Sequence, residues 1–196
     1  MPGWTKTTIA VTALSVIITG CGREPWWVNP DVTWIEAYGG SRSEIASDIL
    51  LGGDGSLFIV GHTRQPAASG RGADVYVIRK GASGALDWIR TYGGPGDDRG
   101  EAVVWGDDGT LVIAGTTSSD REGGVDAYLL SIDQDGNELW SKTFDGPLDE
   151  WIAVVRRTVD GGFFLAGSIV DPNDLISNPG AAGYGGYAGR SSLFVI

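Results

Sequence analysis

The chain has 196 residues, enough for one sizeable core, and its 14 basic and 25 acidic side chains give a formal charge of -11. So acidic a protein is repelled by phosphate backbones and anionic headgroups, which argues against nucleic acid as a partner. A single cysteine rules out an internal disulfide.

Residues 1–20 read as an export signal. Lys6 supplies a short positive region, and Ile9 to Thr19 supply eleven residues interrupted only by Thr and Ser. That stretch is too short to span a bilayer, which needs roughly 20 apolar residues. It ends in Ile18-Thr19-Gly20-Cys21, which resembles the lipobox of bacterial lipoproteins. The resemblance implies a diacylglycerol thioether on Cys21, cleavage before it and acylation of the new N-terminus. Two or more acyl chains make such anchoring stable. Gly22 in place of Asp implies, by the same resemblance, sorting to the outer membrane in an organism with two membranes. Residues 21–32 then form a tether, in which Trp26 and Trp27 either sit at the membrane interface or pack on the nearest sheet.

From residue 33 the chain repeats itself. Trp34-Ile35-Glu36-Ala37-Tyr38 recurs as Trp88-Ile89-Arg90-Thr91-Tyr92, 54 residues on, and as Trp140-Ser141-Lys142-Thr143-Phe144, another 52 on. Seventeen residues after each terminal aromatic, an Asp-Gly pair is completed at Gly55, Gly109 and Gly161; six residues further stand Gly61, Gly115 and Gly167. A period near fifty residues signifies a repeat architecture, here about 33–88, 89–140 and 141–196.

Four short strands are predicted per repeat. The inner strand covers 46–51, 101–105 and 152–157, the second 56–60, 110–114 and 162–166, the third 74–79, 126–131 and 193–196. Asp-Gly between apolar runs predicts a tight hairpin joining the first two. Runs such as Leu57-Phe58-Ile59-Val60 and Ala127-Tyr128-Leu129-Leu130 are apolar on both faces, so the second and third strands should lie between neighbouring sheets. The tryptophan segment is the outer strand, and its central Glu36, Arg90 and Lys142 suit an edge that must not pair with other proteins. The fold class is therefore all-β, with β-propeller-type four-stranded antiparallel blades, about three of them.

Trp-x-x-x-Tyr-Gly-Gly, then Asp-Gly-Gly, Ala-Gly-x-Thr and Asp-x-Tyr-Leu before a further Trp, resemble the repeats of secreted bacterial and archaeal β-propeller proteins. The resemblance covers Thr33 to Ile196 and implies a propeller, frequently carried by a lipoprotein. A narrower one lies in Asp133-Gln134-Asp135-Gly136-Asn137-Glu138-Leu139-Trp140, similar to the docking motif of pyrroloquinoline-quinone-type propellers, where the tryptophan packs between blades. Gly81 to Gly84 with Trp88 keeps the Gly and Trp but lacks the Asp, so packing rather than cofactor chemistry carries over.

The predicted strand order begins with an outer strand and stops within the third strand of the last repeat, at Phe194-Val195-Ile196. Propellers have about 4 to 8 blades. Three would leave two open faces of roughly 300 Å² each from strand spacing and rise, at about 8 kcal/mol per face. The expectation is a fragment of a larger propeller, with two chains closing a six-bladed ring as the alternative and self-association through the open faces in either case.

Three groups of side chains are candidate sites. Glu44, Asp98 and Glu150 hold the same repeat position, in the connection from the outer strand to the next inner one. Symmetry predicts a ring at one mouth, serving either a cation or polar ligand, calcium included, or hydrogen bonds to loop amides. Asp133, Asp135 and Asn137 form a turn that partly resembles a calcium loop, but it has neither the sixth-position glycine nor the bidentate Glu; a solvated β-turn is the alternative. His62 is the single histidine, with no nucleophile at a recognisable spacing and no second zinc ligand. The long loop from Val170 to Ser191, with Tyr184 and Tyr187, offers aromatic contacts to a glycan or peptide, or is simply a flexible insertion.

The function expected from these residues is that of a lipid-anchored, non-enzymatic platform at the cell envelope. Its partners are the membrane, through Cys21, and envelope proteins or glycans; no cofactor is expected. The alternative is a calcium- or quinone-dependent propeller enzyme acting on sugars or alcohols near Glu44, Asp98 and Glu150.

Overall fold

The structure, a computed structural model, describes residues 37–38, 43–64, 72–119, 124–170 and the backbone of 192–195. Cys21, the tether, Trp34 and the insertion carrying Tyr184 and Tyr187 lie outside the described residues.

The chain is all-β, and among the described residues its strands fall into three antiparallel sheets that follow the repeats, with no closed barrel. The first is β1 (Ser43–Leu51), β2 (Leu57–Arg64), β3 (Ala73–Lys80) and β4 (Leu86–Tyr92), in that spatial order. The second is β5 (Asp98–Trp105), β6 (Leu111–Thr117), β7 (Asp126–Ile132) and β8 (Glu138–Phe144). The third holds β9 (Asp149–Arg157), β10 (Phe163–Val170) and β11 (Ser192–Val195), three strands among the described residues. Each sheet has the form of a propeller blade. The sheets stack side by side, β5 against β1, β2 and β3, and β9 against β5, β6 and β7. No comparable packing joins β1 to β9.

The inner strands β1, β5 and β9 each begin three residues earlier than the pattern predicts. The cause is a bulge. Ala46 pairs with Gly61 and Asp48 with Val60, leaving Ser47 as an extra residue; Glu101 and Ala153 are extra at the corresponding points. The bulge bends the strand, and the ladder resumes beyond it instead of ending there. It also explains the repeat glycines. A Cβ on Gly61, Gly115 or Gly167 would lie 1.8, 1.7 or 1.8 Å from the carbonyl oxygen of Ile45, Arg99 or Trp151, so no other residue fits beneath the bulge.

Two apolar junctions hold the sheets together. In the first, Phe58, Val60, Val75 and Val77 meet Val103, Leu111, Ile113, Leu130 and Ile132, with Trp88, Tyr92 and Trp105 closing the periphery. In the second, Ala102, Val112, Ala114, Ala127 and Leu129 meet Ile152, Val155 and Leu165. A third cluster, Leu57, Ile59, Tyr76 and Ile78, occupies the far face of the first sheet, and Tyr38 packs against it.

β2 and β6 are buried along almost their whole length, as apolar runs on both faces require. β10 is only partly buried, because it has a neighbouring sheet on one side alone among the described residues. The outer strands β4 and β8 are mostly exposed. Their central cations fold back onto their own aromatics, with Arg90 5.8 Å from the Trp88 ring centre and Lys142 4.7 Å from that of Phe144.

Candidate functional site

The three acidic residues of the repeat are buried and lie within the inner strands, not in the connections where spacing alone had put them. They hold matched register positions: Glu44 pairs with Thr63, Asp98 with Thr117 and Glu150 with Ile169. The bulge that extends each inner strand carries the acid into the ladder.

Asp98 is fully engaged by the scaffold. One carboxylate oxygen accepts from the Thr117 hydroxyl at 2.5 Å; the other accepts from the Ser119 hydroxyl at 2.6 Å and the Gly94 amide at 2.7 Å. Three donors around one carboxylate leave it little capacity for a ligand, so its position fixes the loop that enters the second sheet.

Glu150 differs. Its carboxylate sits over Gly146, where a Cβ would come within 2.3 Å of Oε1, and its Oε2 is buried with no hydrogen-bond partner among the described residues. Burial, then the neighbouring charges of Asp126 and Asp149, push its proton affinity above the ordinary value of 4.5.

The residue before each of these two acids does a different job. Asp97 accepts the Ala73 amide of the first sheet at 2.8 Å, and Asp149 accepts the Val125 amide of the second sheet at 3.0 Å. Each carboxylate thus ties the start of one sheet's inner strand to the start of the third strand of the sheet before. The Ala73 bond, with Arg99 and Arg64 beside it, holds the Asp97 carboxyl below its ordinary range. Arg99 and Arg64 lie 3.4 and 3.8 Å from that carboxylate. His62 faces the same cluster. It is buried, its Nδ1 has no hydrogen-bond partner among the described residues, and burial followed by Arg99 and Arg64 lowers its affinity for a proton.

The turn at Asp133 to Asn137 spends its oxygens on itself. Asp133 Oδ1 accepts the amides of Asp135 at 2.9 Å and Asn137 at 2.8 Å, and Oδ2 accepts the Asn137 side-chain amide at 2.8 Å. These bonds lower the Asp133 pKa, the Asn137 side chain most of all. Among the described residues no group of three or more His, Cys, Asp or Glu side chains could hold a metal ion.

The turn is a docking element rather than a merely solvated one. The Trp88 indole N–H donates to the Gln134 carbonyl at 3.1 Å, and the Tyr92 hydroxyl donates to the Gly136 carbonyl at 2.8 Å. Gly136 has φ +82, and a Cβ there would lie 3.0 to 3.3 Å from Arg90, Tyr92 and Trp88. Burial pushes the Tyr92 hydroxyl up to about 12, so it stays a donor at any ordinary pH. The outer strand of one sheet thereby clasps the turn of the next, whereas Trp140, the tryptophan of the docking motif itself, is partly exposed.

At the second junction the matching place is open. Val112, Ser131 and Arg157 stand where Phe58, Arg79 and Trp105 stand in the first. The smaller side chains leave a groove of ≈ 240 Å³ lined by Thr110, Val112, Ser131, Leu139, Trp140 and Phe163. Trp140 is 41% exposed on its wall.

Sequence spacing thus located Glu44, Asp98, Glu150 and the Asp133 turn, but it missed the two clamping carboxylates, the Trp88 clasp and the bulge residue Glu101. Burial raises the Glu101 carboxyl, while the Ser47 hydroxyl of the first sheet's bulge favours its charged form. The signal for the clamps was present: an acid stands five residues after Tyr92 and after Phe144, whereas Ser43 follows Tyr38 at that distance. No family model matches the chain, and no curated protein matches it.

Proposed function

We propose that this chain is a membrane-anchored lipoprotein whose propeller-type blades serve as a binding or scaffolding platform at the cell envelope. The observation that carries the reading is Ile18-Thr19-Gly20-Cys21, with the single cysteine of the chain at the residue a lipobox modifies, ahead of a repeated all-β domain. The roles of the acidic side chains agree with it. Asp98, Asp97, Asp149 and Asp133 give hydrogen-bonding capacity to the scaffold, so these acids serve construction, and recognition falls to the loops. Anchoring goes through Cys21, to the outer membrane where two membranes exist, and the partners are envelope proteins or glycans.

The test is expression in a bacterium with labelled palmitate. The wild-type chain should incorporate label and sediment with membranes, whereas Cys21→Ser should lose both properties. An unlabelled wild-type chain in the soluble fraction would remove the reading. Affinity capture with the lipidated protein should then return a reproducible envelope protein or glycan, and its repeated failure to do so would count against the platform role.

A further inference from the structure

The junction between the first two sheets carries basic side chains that the clamp beside them does not need. Arg64, at the end of β2, and Arg99, in β5, lie 3.8 and 3.4 Å from the Asp97 carboxylate. His62 stands two residues before Arg64, and the charges acting on it are those of Arg99, Arg64 and Asp97. The next junction shows what is surplus. There Asp149 holds the Val125 amide at 3.0 Å, much as Asp97 holds the Ala73 amide at 2.8 Å. Yet Thr116, Ser118 and Trp151 occupy the repeat positions of His62, Arg64 and Arg99. The clamp therefore works without any of the three.

Their bonding is also incomplete. Among the described residues Arg99 makes one hydrogen bond to the Asp97 side chain, at 3.4 Å, and Arg64 makes only the 3.8 Å ion pair. Both distances are long, since charge-assisted bonds run about 2.7–2.9 Å. Asp97 does not close on either arginine, because its Oδ1 is taken by the Ala73 amide and its Oδ2 is shared. Two cations against one carboxylate leave a local positive excess in a chain of formal charge -11. His62 adds an independent sign of a missing partner. It is 9% exposed, and its buried Nδ1 is unpaired among the described residues, a state that costs free energy.

We infer that Arg64 and Arg99, backed by His62, form a binding site for a small oxyanion, the carboxylate or phosphate group of a polar ligand, where β2 ends and β5 begins. The Arg99 guanidinium lies 6.0 Å from the ring centre of Trp151 in the third sheet, which helps to hold its plane. A guanidinium so held grips two oxygens of one anion. The Arg64 side chain is 63% exposed and stands at the solvent side, free to close on the same group. Of the partners proposed for the platform, this site selects those that carry an acidic group. That consequence rests on the platform reading, whereas the site does not depend on anchoring at Cys21.

The chain has a single histidine, so NMR of its imidazole protons reads the site directly. Inorganic phosphate, glucuronate or neutral glucose is added to the whole chain in non-ionic detergent at constant ionic strength and pH. Phosphate or glucuronate should shift the His62 resonances saturably and glucose should not; the tighter of the two anions identifies the group. A bound anion offsets Arg99 and Arg64, so it should also raise the pH at which His62 titrates. Arg64→Gln and Arg99→Gln should each weaken binding at least roughly tenfold, as the loss of a charge-assisted bond requires. Arg90→Gln, on the outer strand β4, should leave it unchanged. No saturable shift with either anion, a response to glucose equal to that with glucuronate, or undiminished binding by Arg64→Gln with an unchanged far-UV spectrum would each overturn the site.

Discussion

The two junctions share one backbone plan and differ in how they are filled. In the first, Phe58 is completely buried, meets Trp105 edge-on at 5.6 Å and Trp88 at 6.3 Å, and lies under Arg79. The Asp48 carboxylate adds a bond from the Val103 amide at 2.9 Å. In the second, alanines at 102, 114 and 127 bring the sheets together with little side-chain volume. Arg157 pairs with Asp107, and Trp140 stands at an open groove. Both junctions keep the carboxylate clamp and the glycine beneath the bulge. Alignment of the sheets is thus fixed by polar and glycine positions that recur, while adhesion is set by apolar residues that are free to vary.

The strongest way to break that contrast is Phe58→Ala, which should cost about 3–5 kcal/mol in denaturant unfolding. Val112→Ala, at the matching place, should cost roughly 1.5 kcal/mol for its two methyl groups; equal losses would refute the uneven filling. Next comes Asp98→Ala, which leaves the Gly94 amide and the Thr117 and Ser119 hydroxyls without their acceptor and should cost about 2–3 kcal/mol. Gly136→Ala and Gly84→Ala form a smaller pair. Both pay about 1–2 kcal/mol for a left-handed backbone, and Gly136→Ala should lose more, because its methyl meets Trp88, Arg90 and Tyr92 whereas nothing described lies within 4 Å of a methyl on Gly84.

The smallest effect concerns pH. The folded Glu150 carboxyl binds its proton more tightly than the ordinary 4.5, so its stabilising contribution is complete below that pH and is lost as pH rises through the folded value. Glu150→Gln should therefore be slightly more stable than wild type at neutral pH, with the difference vanishing below pH 4.5 in thermal melts. A difference independent of pH would mean that the charge is not what costs.

Most of the fold was legible because the repeat fixes both the period and the turns. Asp-Gly pairs marked the first hairpins, and two-sided apolar runs marked β2, β3, β6 and β7 as the strands between sheets. The strand starts were not legible, since a bulge adds one residue without altering composition: Ser47, Glu101 and Ala153 share no chemistry. The acidic position of the repeat was legible as a position but not as a role. Asp98 and Glu150 look alike in sequence and differ in their donors, because Thr117 and Ser119, distant in sequence, reach Asp98 while nothing described reaches Glu150 Oε2.

The clamps at Asp97 and Asp149 make two backbone amides into gauges of something other than their own strands. Ala73 begins β3 and Val125 immediately precedes β7, yet each gives its proton to a carboxylate at the start of the next sheet. Hydrogen exchange at these two sites therefore times the parting of neighbouring blades, while exchange at the ladder amides times fraying within a blade. The repeat behaves as a row of coupled units with a separate, readable free energy at every coupling.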